Sequence, residues 1–167
     1  MKVQEIMTKD AKSCTLGTNL ATAVELMWSA DCGVLPVVED GELVGIVTDR
    51  DICIALGTRN RLAKDINAGE VATRGVQTCA PHDDINTAMA TMRRAKVRRL
   101  PVTENGRLEG LLALNDIIEA VNGKHGHIGY EDVMNTLKAV SEHRTHRKTA
   151  AHADAPAHGS SVPVAAA

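Results

Sequence analysis

Residues 5–52 of this chain recur at 70–117 with a constant offset of 65 and no gap, and 16 of the 48 aligned pairs are identical. The densest stretch is Leu35-Pro36-Val37, followed by Glu39, Gly41, Leu43, Gly45, Asp51 and Ile52. Its copy is Leu100-Pro101-Val102, then Glu104, Gly106, Leu108, Gly110, Asp116 and Ile117. A repeated unit of this size rarely buries its apolar face alone and folds against its copy. Two copies also create two related clefts, and positions where they differ show which cleft retains its chemistry.

Each copy reads as strand, helix, strand, strand, helix. Ser13-Cys14-Thr15 is expected as a short strand. Leu20, Ala23, Val24, Met27 and Ala30 then fall on one face of a helix, as do Ile85, Ala88, Met89, Met92 and Ala95 in the copy. Two apolar runs, 34–38 and 43–47, flank Asp40-Gly41, and Asn105-Gly106 stands in the same place in the copy. Such pairs favour a tight hairpin, because both residues tolerate positive φ. Pro36 and Pro101 are expected at a strand edge or strand start. The following helices begin near Asp49 and Leu114. The first is expected to stop at Gly57 as a C-cap and the second at Gly123, with 58–67 a polar linker. Val133, Met134, Leu137 and Val140 mark one more amphipathic helix over 130–143.

The resulting division is a first repeat at 1–60, a second at 61–124, a C-terminal helical segment at 125–143 and a disordered tail at 144–167. The tail is expected to lack structure because its Ala, His, Pro, Ser and Thr have no period. His125, His127 and the histidines from His143 onward are irregularly spaced, which argues for solvated side chains rather than a metal site. Cys14, Cys32, Cys53 and Cys79 form no CxxC pair. Cys14 and Cys79 occupy equivalent positions and read as small buried residues rather than a disulfide. The net charge is −2, with no Phe, one Trp and one Tyr, so neither phosphate attraction nor base stacking points to nucleic acid. No apolar run reaches membrane-spanning length and the N-terminus lacks a signal-peptide core, so a cytoplasmic protein is expected.

Chemistry concentrates at Gly45-Ile46-Val47-Thr48-Asp49-Arg50-Asp51. A strand there runs into a helix N-terminus, where free N–H groups and the helix dipole favour an anion. Thr48 offers a hydroxyl, Asp51 a carboxylate suited to a vicinal diol such as ribose, and Gly45 room for a ligand ring beside the backbone. Thr48 and Asp51 are equally good helix caps needing no ligand, and both readings stand at this level.

The doubled pattern Leu-Pro-Val, turn, Gly-Ile-Val-Thr-x-x-Asp-Ile resembles the cystathionine-β-synthase (CBS) domain family, present as a tandem pair. The resemblance covers residues 5–117. It implies an α/β (α+β) fold of two βαββα repeats packed sheet to sheet about a pseudo-twofold axis, often called a Bateman module. It also implies an adenine-nucleotide ligand between the repeats: AMP, ADP or ATP, in some members S-adenosylmethionine, with NAD a further alternative. It implies a regulatory rather than catalytic role, no metal, a disc-like homodimer and a regulated protein partner that the sequence does not name. Trp28 is either core or part of that dimer interface. By position, Asp51 would take the ribose hydroxyls and Thr48, with Arg50 beside it, the phosphate. Cys14, Thr15, Leu35, Pro36 and Val37 would flank the base. The second copy keeps Asp116 but has Ala113 in place of Thr48. Basic residues before the second Leu-Pro-Val, notably Arg98 and Arg99, would reach phosphates held by the first repeat, whereas Gly33 and Asp31 leave the Asp116 cleft without a cation. One competent and one degraded site is the expectation. The alternative is a ligand-free structural or oligomerisation module with vestigial sites.

Overall fold

The computed structural model describes residues 1–121 and 128–142. Its elements are β1 (Thr8–Lys9), α1 (Leu20–Ser29), β2 (Val34–Glu39), β3 (Glu42–Thr48), α2 (Asp49–Arg59), α3 (Ile85–Ala95), β4 (Arg99–Glu104), β5 (Arg107–Ala113), α4 (Leu114–Ala120) and α5 (Tyr130–Ser141). Both hairpins form as the sequence predicts, β2 on β3 and β4 on β5, each with a register irregularity, after Val37 and after Val102. Their turns take the expected left-handed pairs: Asp40 and Gly41 at φ 51° and 85°, Asn105 and Gly106 at 51° and 83°. The hairpins meet at their turns through Glu42 and Arg107, and all the ladders between β1 to β5 are antiparallel.

The expected first strand shrinks to a single parallel bridge, Cys14 to Val37, repeated as Cys79 to Val102. This bridge also explains the prolines. Pro36 lies inside β2, not at its edge or start, between β3 and Cys14. On the Cys14 side Pro36 is asked only for its carbonyl, which accepts from the Cys14 N–H at 3.0 Å, while Val38 supplies the N–H in the other direction at 2.8 Å. A one-residue bridge never needs the donor that proline lacks.

The two repeats exchange their leading segments. β1 pairs with β5 of the second repeat, and Thr73 bridges Ile46 in the first. Val3 donates to the Asp83 carbonyl at 3.0 Å, and its counterpart Ala68 donates to that of Thr18 at 2.7 Å. Accordingly Val3 is buried in the second core, with Met89, Met92, Leu100, Val102 and Leu112, while Ile66 and Ala68 are buried in the first, with Leu20, Leu35, Val37 and Val47. Each half therefore lacks part of its core without the other. Burial of such side chains contributes roughly 1.5–3 kcal/mol each relative to exposure. Ile66 thus corrects the reading of 58–67 as a polar linker.

Helix ends differ in detail. α2 runs through Gly57 to Arg59 and stops at Asn60, which takes the left-handed cap at φ 50°. Asn tolerates that conformation, so the glycine is not needed for it. α4 ends at Ala120, and Gly123 lies outside the described residues, as do His125, His127, His143 and the 144–167 tail. No helix among the described residues is long and apolar enough to cross a membrane.

Candidate functional site: two strand-to-helix junctions

β3 ends in extended backbone at Thr48 and α2 begins at the next residue. The Asp51 N–H donates to Thr48 Oγ1 at 3.2 Å. Asp51 Oδ2 accepts the Thr48 N–H at 2.9 Å and its hydroxyl at 2.7 Å. This reciprocal capping box satisfies donors that a helix start otherwise leaves open. It occupies one carboxylate oxygen and leaves Oδ1 of the half-buried Asp51 as an open acceptor. Arg50 is exposed, and its N–H donates to Asp49.

The second junction is half of the first. Asp116 Oδ2 accepts the Ala113 N–H at 2.8 Å, but no side chain returns a bond to the α4 start. Burial is the main influence on Asp116 and raises its pKa; Glu119 acts the same way, while the Ala113 N–H and the Arg99 guanidinium oppose it. This corrects the expectation that the Asp116 cleft has no cation. Arg99 opens β4 opposite Ala113, and the Arg98 carbonyl accepts the Leu114 N–H at 2.9 Å, so the pair of arginines flanks the start of α4. Among the described residues, neither arginine is hydrogen-bonded or ion-paired to Thr48 or Asp51.

The rest of the basic cluster is spent elsewhere. Arg93 donates to Thr136 Oγ1 on α5 at 2.8 Å, and Lys96 pairs with Glu142 at 2.6 Å. Only Arg94, Arg98 and Arg99 remain exposed. The residues read as flanking a base divide similarly. Cys14, Leu35 and Val37 point into the first core, so their side chains cannot line a cleft. Pro36 is buried on the opposite face of β2. Thr15 is exposed, and its N–H donates to Thr18 Oγ1. Burial pushes the Cys14 thiol to about 11 and that of Cys79 to about 12, which keeps both protonated and unreactive at neutral pH.

Gly45 has a structural reason to be glycine. A Cβ there would stand 3.0 Å from the Thr73 carbonyl oxygen, and one at Gly110 only 2.5 Å from that of Thr8. The close approach belongs to the exchanged segment, which corrects its assignment to a ligand ring. The signal was present in the sequence: Thr8 and Thr73 are identical, yet no strand or helix pattern covers them.

Two cavities stand out. A cleft of about 270 Å³ lies between the repeats, lined by Leu43, Val44 and Gly45 on one side and Gly75, Val76 and Thr78 on the other. A larger groove of about 590 Å³ lies on the outer face between α1 and α2 and shares only Asp49 with the first junction. The larger space is therefore not at the anion-suited helix starts. No three His, Cys, Asp or Glu side chains among the described residues gather as a metal site would require.

Doubled βαββα units with exchanged leading segments and an acid three residues into each second helix define a tandem module. The CBS domain model matches residues 3–58 and 68–123, and the chain belongs to that family. It is 36% identical over 124 residues to the Bacillus subtilis protein YlbB, covering 70% of this chain and 79% of YlbB. Among solved structures it is similar to Hypoxic Response Protein I with two coordinated zinc ions, at TM-score 0.66 and 28% identity, covering 71% of this chain and 98% of the other. It is also similar to CBSX2 in complex with AMP, at TM-score 0.62 and 26% identity, covering 72% and 95%.

Proposed function

We propose that this chain is a regulatory module that binds an adenine nucleotide, AMP, ADP or ATP, at the first junction, and acts as a homodimer whose shape a partner protein reads. The observation that carries the reading is the paired junction, with Asp51 and Asp116 each holding a carboxylate at a helix start. Asp51 Oδ1 suits a ribose hydroxyl, and the α2 start and Thr48 suit a phosphate. The AMP complex of the similar CBSX2 supports this ligand class. A ligand selects among conformations only through a difference in affinity between them, so regulation here is a population shift.

A second reading, a structural module without ligand, is favoured by one observation: Thr48 and Asp51 already satisfy each other. Thermal-shift titration with AMP, ADP, ATP, NAD and S-adenosylmethionine separates the two. A nucleotide at a hundredfold excess over Kd raises stability by about 2.7 kcal/mol. Asp51→Asn should abolish that rise relative to its own ligand-free melt, and Asp116→Asn should leave most of it. No shift with any of the five at millimolar concentration leaves the structural reading.

A further inference from the structure

Cys14 and Cys79 are buried and matched between the repeats, but Cys32 and Cys53 have no counterpart thiol. Their paired positions in the second repeat hold Val97 and Ile118. That second helix pair, α3 and α4, carries α5 over it, with Val133 and Val140 buried in the second core. The matching α1–α2 groove has no helix over it among the described residues. Cys32 and Cys53 both line this groove, the first half-buried just after α1 and the second exposed on α2. Trp28 lines it too and is 88% exposed. All four cysteines are free.

The backbone brings the two groove thiols towards each other. The Asp49 N–H donates to the Gly33 carbonyl at 3.2 Å, which pins the first residue of α2 to the residue after Cys32. A Cβ on Gly33 would stand 2.6 Å from Asp49 Oδ2, so this approach needs glycine. Cys53 follows Asp49 by about one helical turn, on the same face of α2. Cys32 is itself held in place: its N–H donates to the Met27 carbonyl at 3.0 Å and its thiol to the Val34 carbonyl at 3.4 Å.

An exposed thiol beside a more sheltered one is the arrangement in which the first reacts and the second resolves the product. We propose that Cys32 and Cys53 form a reversible redox pair whose oxidant is a low-molecular-weight disulfide. The Cys53 thiolate attacks one sulfur of that disulfide, forms a mixed disulfide and releases one small thiolate. The Cys32 thiolate then attacks the Cys53 sulfur, closes the Cys32–Cys53 bond and releases the second small thiolate. The pair loses two electrons and the small disulfide gains them, while the two protons of the protein thiols pass to the released thiolates. The new bond ties the first turns of α2, which begin at the Thr48–Asp51 box, to the end of α1. Cys14 and Cys79 take no part, since burial keeps both protonated. The reaction does not depend on nucleotide.

The test is incubation of the native full-length chain with oxidised glutathione, followed by alkylation and peptide mass spectrometry. The expected product is an intrachain link between the Cys32 and Cys53 peptides, reversed by dithiothreitol, with Cys14 and Cys79 alkylated only after unfolding. Trp28 is the sole tryptophan. Its emission should fall on oxidation, because a disulfide in the same groove quenches an indole. Cys32→Ser should halt the reaction at a glutathione adduct on Cys53. Cys53→Ser should slow glutathione incorporation roughly tenfold or more, because the exposed attacking thiol is gone. Both variants should keep the far-ultraviolet dichroism spectrum of the parent chain. Glutathione that stays on Cys53 of the parent chain without linking overturns the pair, as does a link between Cys53 residues of two chains. A chain inert to the disulfide until urea is added overturns the site itself.

Discussion

The two repeats share a backbone plan but not a surface. Their cores match position by position: Leu35 with Leu100, Val37 with Val102, Met27 with Met92, all buried. Their junctions and outer helical faces do not match. The first has a closed Thr48–Asp51 box and an open apolar groove around Trp28; the second has half a box, a raised Asp116 and a groove filled by α5. The comparison teaches that packing constraints were kept in duplicate, whereas positions at the junctions and on the outer helical faces diverged. A core side chain must fit its neighbours wherever the backbone is repeated. A surface side chain has no such obligation.

The strongest way to break the comparison is at its shared part. Leu35→Ala and Leu100→Ala should each cost about 2–5 kcal/mol in urea denaturation, because both side chains are fully buried. Since each half supplies Val3 or Ala68 to the other's core, both variants should still unfold in one transition. Two separated transitions would show that the exchanged segments do not couple the repeats. Next come the glycines. Gly110→Ala should cost roughly 1–3 kcal/mol by overpacking against the Thr8 carbonyl, and Gly45→Ala less, since the clearance at Thr73 is larger. The reverse order of midpoints would contradict the geometry of the exchange.

The helix starts give a smaller, oppositely signed pair. Thr48→Ala should lose about 1 kcal/mol, while Ala113→Ser should gain roughly 0.5–1 kcal/mol by supplying the acceptor that α4 lacks. The smallest effect is in pH dependence. Because the folded pKa of Asp116 is raised, the native state holds a proton that the unfolded chain has released, so this residue's contribution to stability falls as pH rises from 3.8 through the folded value. Asp116→Asn should flatten that fall and leave the chain slightly more stable at neutral pH, measured by melts across the acidic range. A steeper dependence in the variant would sink the assignment.

Much of this was legible in the sequence because it depends on local rules. Asp40-Gly41 and Asn105-Gly106 specify their turns by the φ values those residues tolerate. The spacing of Leu20, Ala23 and Met27 specifies which face of α1 is buried. Thr48 and Asp51 announce a helix start whether or not a ligand visits it. Sequence reasoning failed where partners are distant in the chain. The Pro36 environment depends on Cys14, the Gly45 environment on Thr73, and the fate of Arg93 on Thr136. None of these pairs leaves a periodic trace, since each is a single contact between segments.

The amino-acid sequence by itself determined the duplication, the hairpins, the helical faces and the positions of Asp51 and Asp116, because propensity, turn chemistry and hydrophobic period act over a few residues. Only the tertiary structure decided that the leading segments cross to the other repeat, that Arg99 influences Asp116, and that α5 covers one helix pair while Trp28 stays bare on the other. Those outcomes depend on which surfaces are brought together in space, and the offset of 65 residues, identical for both copies, carries no information about which copy receives the extra helix.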